Sequence, residues 1–242
     1  MREVSPHSPR ANSRRQALGY FRQLRDLGEG EIYCATPFSI ALMVNGPTVS
    51  PSLQSVEQAV AACRACALHQ TRRTAVPGAG NPNASLVMVG EAPGNQEDRE
   101  GKPFVGPSGQ LLRRLLNLAG IADDRYYLLN VLKCRPPGNR DPAPEEIDAC
   151  RPFLDAQLVA VAPRLIVCLG RFAGREVLRR GDLLLRDMRG VVHRRGDAAV
   201  IVTYHPSALL HTDDYRVEAW RDIKRIWHLA RDLGLLTGSA GR

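Results

Sequence analysis

The sequence predicts an α/β domain in which a parallel sheet is covered by helices on both faces. Short apolar runs of strand length alternate along the chain with longer segments whose apolar residues recur at helical spacing, the pattern of βαβ units. The composition agrees, because 44% of the 242 residues are hydrophobic and 24% are charged, an ordinary globular balance. No apolar run reaches the roughly 18–20 residues of a membrane span, so membrane, collagen-like and coiled-coil classes are excluded.

Each predicted element has a local signal. SLVMVG is apolar and ends in glycine, GQLLRRLLNLA repeats leucine at helical spacing, and the segment from Pro144 opens with proline and acidic residues, as helix starts prefer. The predicted strands are 85–90, 127–132, 165–170 and 199–204, with 191–194 as an edge strand or hairpin arm. The predicted helices are 56–66, 109–119, 144–161, 173–180 and 215–233.

Residues 1–50 differ from the rest of the chain. A Ser/Pro/Arg-rich opening leads to a predicted short helix over 14–27, followed by a segment with turn signals and no chemical motif. We interpret 1–50 as a partly ordered extension, 51–235 as the functional domain and 236–242 as a tail. The first residues are basic but lack the apolar segment of a secretory signal, so we expect a cytoplasmic protein.

The net charge of +8 comes almost wholly from arginine. A basic balance of this size suits a polyanionic partner such as nucleic acid. GC-rich coding would also raise the arginine count, so the charge is informative only together with a site.

Polar and glycine residues follow the predicted strands at the edge where ligands bind. In open α/β sheets, ligands occupy the crevice beyond the carboxyl ends of the strands. Here those ends carry Gly90 with Glu91, then Asn130, then Gly170, and finally His205. The sequence therefore predicts one cleft that contains Glu91, Asn130 and His205.

Four of the six cysteines form a metal-binding pattern. Cys168 lies in an apolar strand and is predicted to be a core residue, whereas Cys34 lies in the extension. The remaining four are a C-x2-C pair at 63 and 66 and a split pair at 134 and 150. Cytosolic chains rarely use such cysteines for disulfides, so zinc or an iron–sulfur cluster is expected. Zinc ribbons usually repeat C-x2-C, so the spacing favours a cluster.

Three longer motifs carry a family resemblance. GEAPGNQEDREGKPFVGPSGQLL, NVLKCRPPGNRDPAPEEIDAC and HPSALL together resemble the family 4 uracil-DNA glycosylases, the iron–sulfur branch of their superfamily, over roughly residues 60–235. The resemblance implies a three-layer α/β/α fold with a central four-stranded parallel sheet. It implies monofunctional removal of uracil from single- or double-stranded DNA, and we expect a monomer with no membrane partner. It also implies a structural [4Fe–4S] cluster bound by Cys63, Cys66, Cys134 and Cys150.

The same resemblance assigns the residues that hold the base once its nucleotide is flipped out of the DNA. Phe104 stacks on the uracil ring, although a core phenylalanine would look the same in sequence. Asn130 pairs its amide with the uracil edge, which cytosine mismatches because its exocyclic amine reverses one position. His205 donates to the charge that develops on the uracil carbonyl oxygens. Gly90 and Glu97 complete the predicted substrate site.

The water that attacks the sugar is assigned to the loop after the first strand. Better-known relatives outside family 4 carry an aspartate where this chain has Ala92, a departure that family 4 shares. We expect the Ala92 carbonyl to help hold the water and Glu91 to position the loop or the water. Glu97 is a secondary candidate for this role, and Asp98 is interpreted as part of a solvated acidic turn.

The DNA contacts are predicted in the HPSALL segment and around the cysteine loop. Wedge residues are apolar because they replace the stacking that the flipped nucleotide loses. The resemblance favours Leu209 as the wedge, with Leu210 behind it and Pro206 beside it. Phosphate contacts are expected from Ser207 and Ser108. The basic residues that are candidates to line the DNA path are Lys133, Arg135 and Arg140. The alternative is that each of them is an ordinary solvated charge.

Three other interpretations compete with a monofunctional enzyme. A non-catalytic iron–sulfur module that binds nucleic acid would not need the whole set of Glu91, Phe104, Asn130 and His205. A relative that traps the abasic sugar covalently has GEQPG and a basic insertion after the second strand, whereas this chain has Ala92 and no such insertion. An unrelated zinc protein would not explain the order and spacing of the motifs.

Overall fold

Six strands form one sheet in the computed structural model, which describes residues 52–211 and 214–236. The strands are β1 (Ala79–Gly80), β2 (Leu86–Gly90), β3 (Tyr126–Asn130), β4 (Leu165–Leu169), β5 (Val192–Arg195) and β6 (Ala198–Thr203). Their order is β1-β3-β2-β4-β6-β5, with the inner four parallel and the two edge strands antiparallel. The predicted four-stranded parallel sheet is confirmed, and the segment predicted as an edge strand is β5.

The helices lie on both faces of this sheet and agree with the predicted series. They are α1 (Leu53–Ala62), α2 (Asn95–Glu100), α3 (Pro107–Leu118), α4 (Pro144–Val161), α5 (Arg171–Leu178), α6 (Leu185–Met188), α7 (Pro206–His211) and α8 (Asp214–Asp232). The short helices α2, α6 and α7 were not predicted. The first helix begins three residues earlier than predicted because the Ser52 hydroxyl caps it, accepting from the Ser55 amide at 3.1 Å.

Two hydrophobic clusters, one on each face of the sheet, make the three predicted layers. Alternate residues of β2 supply them: Val87 and Val89 face the α4 and α5 side, and Leu86 and Met88 face the α3 and α8 side. Every residue of the four parallel strands is buried, as expected for a sheet covered on both faces. Cys168 is fully buried, which confirms its core assignment.

A third, smaller cluster attaches α1 to the domain. Val56 and Val60 of α1 pack against Phe153 and Ala156 of α4. This contact places the end of α1, and therefore the C-x2-C pair that follows it, beside α4. Within 52–211 and 214–236, no helix combines the length and the apolar character needed to cross a membrane. The extension and its predicted helix over 14–27 lie outside the described residues, and the domain bounds at 51 and 235 stay a prediction.

A buried carboxylate holds α8 against the end of β6. Asp222 is 3% exposed, and it accepts from the Thr203 hydroxyl at 2.8 Å and from two guanidinium nitrogens of Arg189 at 2.9 and 3.0 Å. The other Arg189 nitrogen donates to the more exposed Glu218 at 2.7 Å. These bonds fix the strand end from which the chain continues to His205.

Asp222→Ala should destabilise the domain by about 3 kcal/mol, because it leaves the half-buried Arg189 guanidinium without its buried counter-charge. Urea unfolding measures this loss. Glu218→Ala is the matched control, and we expect it to change the unfolding midpoint much less because Glu218 is solvated. Equal effects of the two substitutions would contradict the assigned role of Asp222.

Candidate functional site

A cavity of about 380 Å³ lies at the carboxyl edge of the parallel strands. The structure brings together there the three strand-end residues singled out in the sequence. The predicted site residues that line it are Glu91, Ala92, Glu97, Phe104, Ser108, Asn130, His205 and Ser207. Because these residues come from distant parts of the chain, the parallel order of β2, β3, β4 and β6 is what assembles the cavity.

The absence of a side chain at Gly90 allows two site residues to meet. Gly90 and Asn130 are register partners at the ends of β2 and β3. A Cβ atom at position 90 would lie 2.3 Å from Asn130 Oδ1 and 2.5 Å from Phe104 Cζ. Glycine is therefore required for the amide and the aromatic ring to stand side by side. Asn130 is 3% exposed, so its amide is held in a low-dielectric position.

Phe104 has a strained backbone that aims its ring into the cavity. Its φ is 55°, in the left-handed region, which costs a non-glycine residue on the order of 1–3 kcal/mol. Gly109 of α3 packs so closely that a Cβ atom there would lie 1.9 Å from the Phe104 carbonyl oxygen. The Phe104 and His205 ring centroids are 6.3 Å apart. The packing of α3 thus holds the ring in place across the cavity from the histidine.

Hydrogen bonds determine the tautomer of His205, and burial determines its protonation state. The Ser207 backbone amide donates to Nδ1 at 3.2 Å, and the Ser207 hydroxyl lies 2.7 Å from the same nitrogen. Because a backbone amide only donates, Nδ1 is the acceptor. Burial lowers the pKa of His205 to about 4, so the ring is neutral at pH 7 and carries its proton on Nε2. His205 is therefore a neutral hydrogen-bond donor.

Glu91 has a pKa suited to gaining or releasing a proton near neutrality. Burial, and to a smaller extent the nearby Asp141, raise its pKa to about 7 against an opposing effect of Arg171. Its backbone is fixed as well, since the Glu91 carbonyl accepts from the Leu132 amide at 2.9 Å. The carboxyl and the neighbouring Ala92 line the same cavity.

Glu97 lines the cavity and joins two of its loops. Its Oε2 accepts from the Gly94 amide at 3.1 Å, and its Oε1 accepts from the Gly106 amide at 2.8 Å. Each carboxylate oxygen is thus engaged by one loop of the cavity, so Glu97 positions those loops. The interpretation of Asp98 as a solvated turn is wrong, because Asp98 is 3% exposed and accepts from the Arg73 amide at 2.9 Å.

The four patterned cysteines come from separate parts of the fold and lie close enough for their charges to interact. Cys63 follows α1, Cys66 precedes a 3-10 turn, Cys134 follows β3 and Cys150 lies in α4. All four are free thiols. Their charges interact: Cys63 raises the pKa of Cys66, and Cys134 and Cys66 raise that of Cys150, in each case after the larger effect of burial. Hydrogen-bond donors also surround them, since Arg72 donates to Cys134 Sγ at 3.0 Å and the Ala65 amide to Cys63 Sγ at 3.5 Å.

A zinc ion and an iron–sulfur cluster place different demands on four thiols. One zinc ion draws all its sulfur ligands to within about 2.3 Å of one point, whereas each cysteine of a [4Fe–4S] cluster binds a different iron. In the part of the chain that the structure describes, no three His, Cys, Asp or Glu side chains are arranged to hold one ion.

The burial and bonding of three residues bear on the predicted DNA contacts. Leu209 is 4% exposed because the side of α7 that carries it packs inward, whereas Leu210 is 40% exposed. Lys133 is 1% exposed and donates to the Asn130 carbonyl, so it does not line a DNA path. Ser207 directs both of its donors at His205 and is not free to bind a phosphate.

The remaining predicted contacts lie at the rim or beneath it. Ser108 is half-buried in the cavity wall, and Pro206 is buried at the start of α7. Arg135 donates to Asn139 Oδ1 at 2.7 Å and to Asn95 Oδ1 at 3.2 Å. Arg140 also lines the cavity and forms a two-nitrogen ion pair with Glu146 at 2.6 and 2.9 Å.

Among the polar residues of the cavity wall, Asn95, Gln96 and Asn139 have no predicted role. Asn139 has a left-handed backbone with φ of 56° and is held by Arg135. The sequence does carry a signal for it, because RPPGNR combines two prolines and a glycine that fix the loop between Cys134 and α4.

Comparisons with known proteins agree with this arrangement. A family profile described as "Uracil DNA glycosylase superfamily" matches residues 77–224. A Type-4 uracil-DNA glycosylase of Archaeoglobus fulgidus is 44% identical over 185 residues, covering 74% of this chain and 93% of the relative. The Type-4 enzyme of Sulfurisphaera tokodaii is 40% identical, with coverage of 74% and 85%. A Type-5 uracil-DNA glycosylase of Pyrobaculum aerophilum is 34% identical, with coverage of 66% and 77%.

Glu91→Gln should change how stability depends on pH. The folded chain holds the Glu91 proton up to about pH 7, whereas the unfolded chain releases it near its ordinary pKa of 4.5. Wild-type stability is therefore complete below the unfolded pKa and declines as pH rises through the folded one. Relative to Glu91→Gln, we expect wild type to lose on the order of 1–2 kcal/mol across that window, a value reduced for partial exposure.

Urea unfolding of both proteins at a series of pH values measures this difference directly. Protonation of the other titratable groups changes the stability of both proteins equally, so it cancels in the difference between them. A stability difference that stays constant from about pH 4.5 to 7.5 would mean that Glu91 keeps an ordinary pKa.

Proposed function

Because the chain belongs to the uracil-DNA glycosylase superfamily, we propose that it hydrolyses the N-glycosidic bond of uracil in DNA and leaves an abasic site. The observation that carries this proposal is the single cavity in which the Asn130 amide, the Phe104 ring and a neutral His205 face one another. A module that merely binds nucleic acid has no need for this arrangement. The uracil nucleotide is flipped out of the DNA into the cavity, because the bond is not accessible within a duplex.

Base selection rests on Phe104 and Asn130. The Phe104 ring provides a flat apolar surface for the uracil ring. The Asn130 amide accepts from uracil N3–H and donates to O4, whereas cytosine presents an acceptor and a donor in the reverse order. A buried amide that is left with mismatched partners strongly disfavours the wrong base. Lys133 stabilises the position of Asn130 by donating a hydrogen bond to the Asn130 backbone carbonyl.

Bond cleavage leaves negative charge on the uracil ring, and His205 stabilises it. The Nε2–H of the neutral imidazole donates to the O2 carbonyl, where that charge accumulates. The ring is held ready by Ser207, so the donor needs no reorganisation during the reaction. A donor placed in this way is typically worth about 2.7–4 kcal/mol of transition-state stabilisation.

The attacking water is held between Glu91 and the Ala92 carbonyl in this proposal. Glu91 accepts a proton from the water as it attacks, a role that its pKa of about 7 supports. Glu97 acts indirectly, because it ties the loop that contains Gly94 to the loop that contains Gly106. The water is thereby fixed relative to the stacked base.

We assign a [4Fe–4S] cluster to Cys63, Cys66, Cys134 and Cys150. When bound, the cluster supplies a covalent cross-link among distant segments rather than a reacting group. Its ligands join the end of α1, the segment that follows β3 and the body of α4. Since Asn130 lies four residues before Cys134, the same cross-link steadies the uracil-recognising end of β3.

The DNA lies across the mouth of the cavity in this account. Leu210 enters the space that the flipped nucleotide vacates, and Arg135 and Ser108 contact the flanking phosphates. Pro206 begins α7 and so directs the helix that carries the wedge. The monomeric state and the cytoplasmic location stay predictions from the sequence.

Cleavage of a uracil-containing oligonucleotide tests the proposed reaction. The protein, purified anaerobically, is incubated with the oligonucleotide, and alkali then breaks the strand at any abasic site. We expect scission with uracil but none with thymine or cytosine. His205→Ala should lower kcat about 100–1,000-fold, and Asn130→Ala should lower activity at least as much.

His228→Ala is the control for this test, because His228 is exposed on α8 and lies outside the cavity. It should leave cleavage unchanged. Uracil cleavage that survives both cavity substitutions, or a wild-type protein that releases no uracil, would refute the proposed function.

The proposed wedge makes a separate prediction about duplex substrates. Leu210→Ala should slow uracil removal about 10-fold from double-stranded DNA and much less from single strands, because only the duplex must be unstacked. Leu209→Ala should instead lower stability by about 2–5 kcal/mol as a core truncation. Activity on both DNA forms and urea unfolding distinguish the two residues. A duplex-specific defect in Leu209→Ala alone would restore Leu209 as the wedge.

A further inference from the structure

Arg72 lies beside the cysteine site but belongs to none of its motifs. Its side chain makes three hydrogen bonds: to Cys134 Sγ at 3.0 Å, to the Ala61 carbonyl at 3.1 Å and to the Cys63 carbonyl at 2.8 Å. Its backbone amide donates to the carbonyl of the buried Leu68 at 3.0 Å. The Arg72 backbone is thus anchored to a buried residue, and the guanidinium extends from that anchored position to its three partners.

These bonds connect the two halves of the cysteine pattern. The Ala61 and Cys63 carbonyls are at the end of α1, which leads into the C-x2-C pair. Cys134 is 62 residues after Arg72 in sequence and follows β3. The Arg72 side chain therefore joins the segment that supplies two thiols to the segment that supplies a third.

The chemistry of the guanidinium adds a second effect. Arginine is always charged and offers five N–H donors in a flat fork, so it can serve a sulfur and two carbonyls together. A charged N–H donor on a cluster thiolate draws electron density from the sulfur. Because reduction adds negative charge to the cluster, this bond favours the reduced form and raises the reduction potential.

Building on the cluster assigned under the proposed function, we propose that Arg72 is a positioning residue for the iron–sulfur centre. It arranges the ligands before the cluster binds, and it sets the reduction potential through its bond to Cys134. Arg72 touches neither uracil nor the reacting atoms.

The test compares Arg72→Gln with Arg73→Gln. Both remove one positive charge, at adjacent positions, but the Arg73 side chain is exposed and its backbone amide, which bonds Asp98, is retained. Each protein is purified anaerobically, and iron and sulfide are determined per chain. The reduction potential is then measured by electrochemical titration, and cluster loss to an iron chelator is followed by visible absorbance.

We expect Arg72→Gln to have a lower reduction potential than wild type and to lose its cluster to the chelator about 10-fold faster or more. Arg73→Gln should match wild type in both. A general loss of stability would speed cluster loss but would not lower the potential of molecules that retain the cluster. The potential therefore separates the proposed role from a merely structural one.

If Arg72→Gln does not load a cluster, Arg72→Lys serves the same comparison, because a compact ammonium cannot bond the sulfur and both carbonyls in the fork geometry. Its potential should also fall below that of wild type. An unchanged potential in the loaded variant, or an equal shift in Arg73→Gln, would overturn the role of Arg72 while leaving the cluster and the glycosylase activity standing. Wild-type protein without iron and sulfide would overturn the cluster and the role of Arg72 together.

Discussion

The close approach of the β2 and β3 ends is the constraint on which the site depends. At that point Gly90 leaves no side chain between the Asn130 amide and the Phe104 ring, so a recognition group and a stacking surface share one wall of the cavity. Parallel pairing fixes this relation, since a one-residue slip of β3 would turn Asn130 to the other face of the sheet. The buried clusters on both faces hold that register.

The other functional groups are positioned from outside the cavity. His205 depends on Ser207 for its tautomer and, through Thr203 and Asp222, on α8 for the placement of the β6 end. Phe104 keeps its left-handed backbone because α3 packs against its carbonyl. The cysteine loop adds a further support next to Asn130. Each of these groups is thus held by a different element of the fold, so the cavity is preorganised before a base enters it.

Periodicity and strand-end chemistry were enough to predict the parallel sheet and the elements that end at the cavity. They could not predict α2 or α7, which are too short for a helical repeat to appear, or β1, which has two residues. The misassigned residues share a physical cause. Asp98 and Lys133 are charged but buried: Asp98 accepts from the Arg73 amide, 25 residues away in sequence, and the strands and helices around Lys133 cover the ammonium that donates to the Asn130 carbonyl. Whether such a residue is solvated depends on tertiary partners that local sequence does not contain.

The central proposal is that one cavity binds uracil through three groups brought together by the sheet. A crystal structure of the protein with free uracil tests this proposal most directly. We expect the uracil ring to lie against Phe104, N3–H and O4 to face the Asn130 amide, and O2 to face His205 Nε2. Uracil bound elsewhere, or bound in the cavity with the opposite edge toward Asn130, would contradict it.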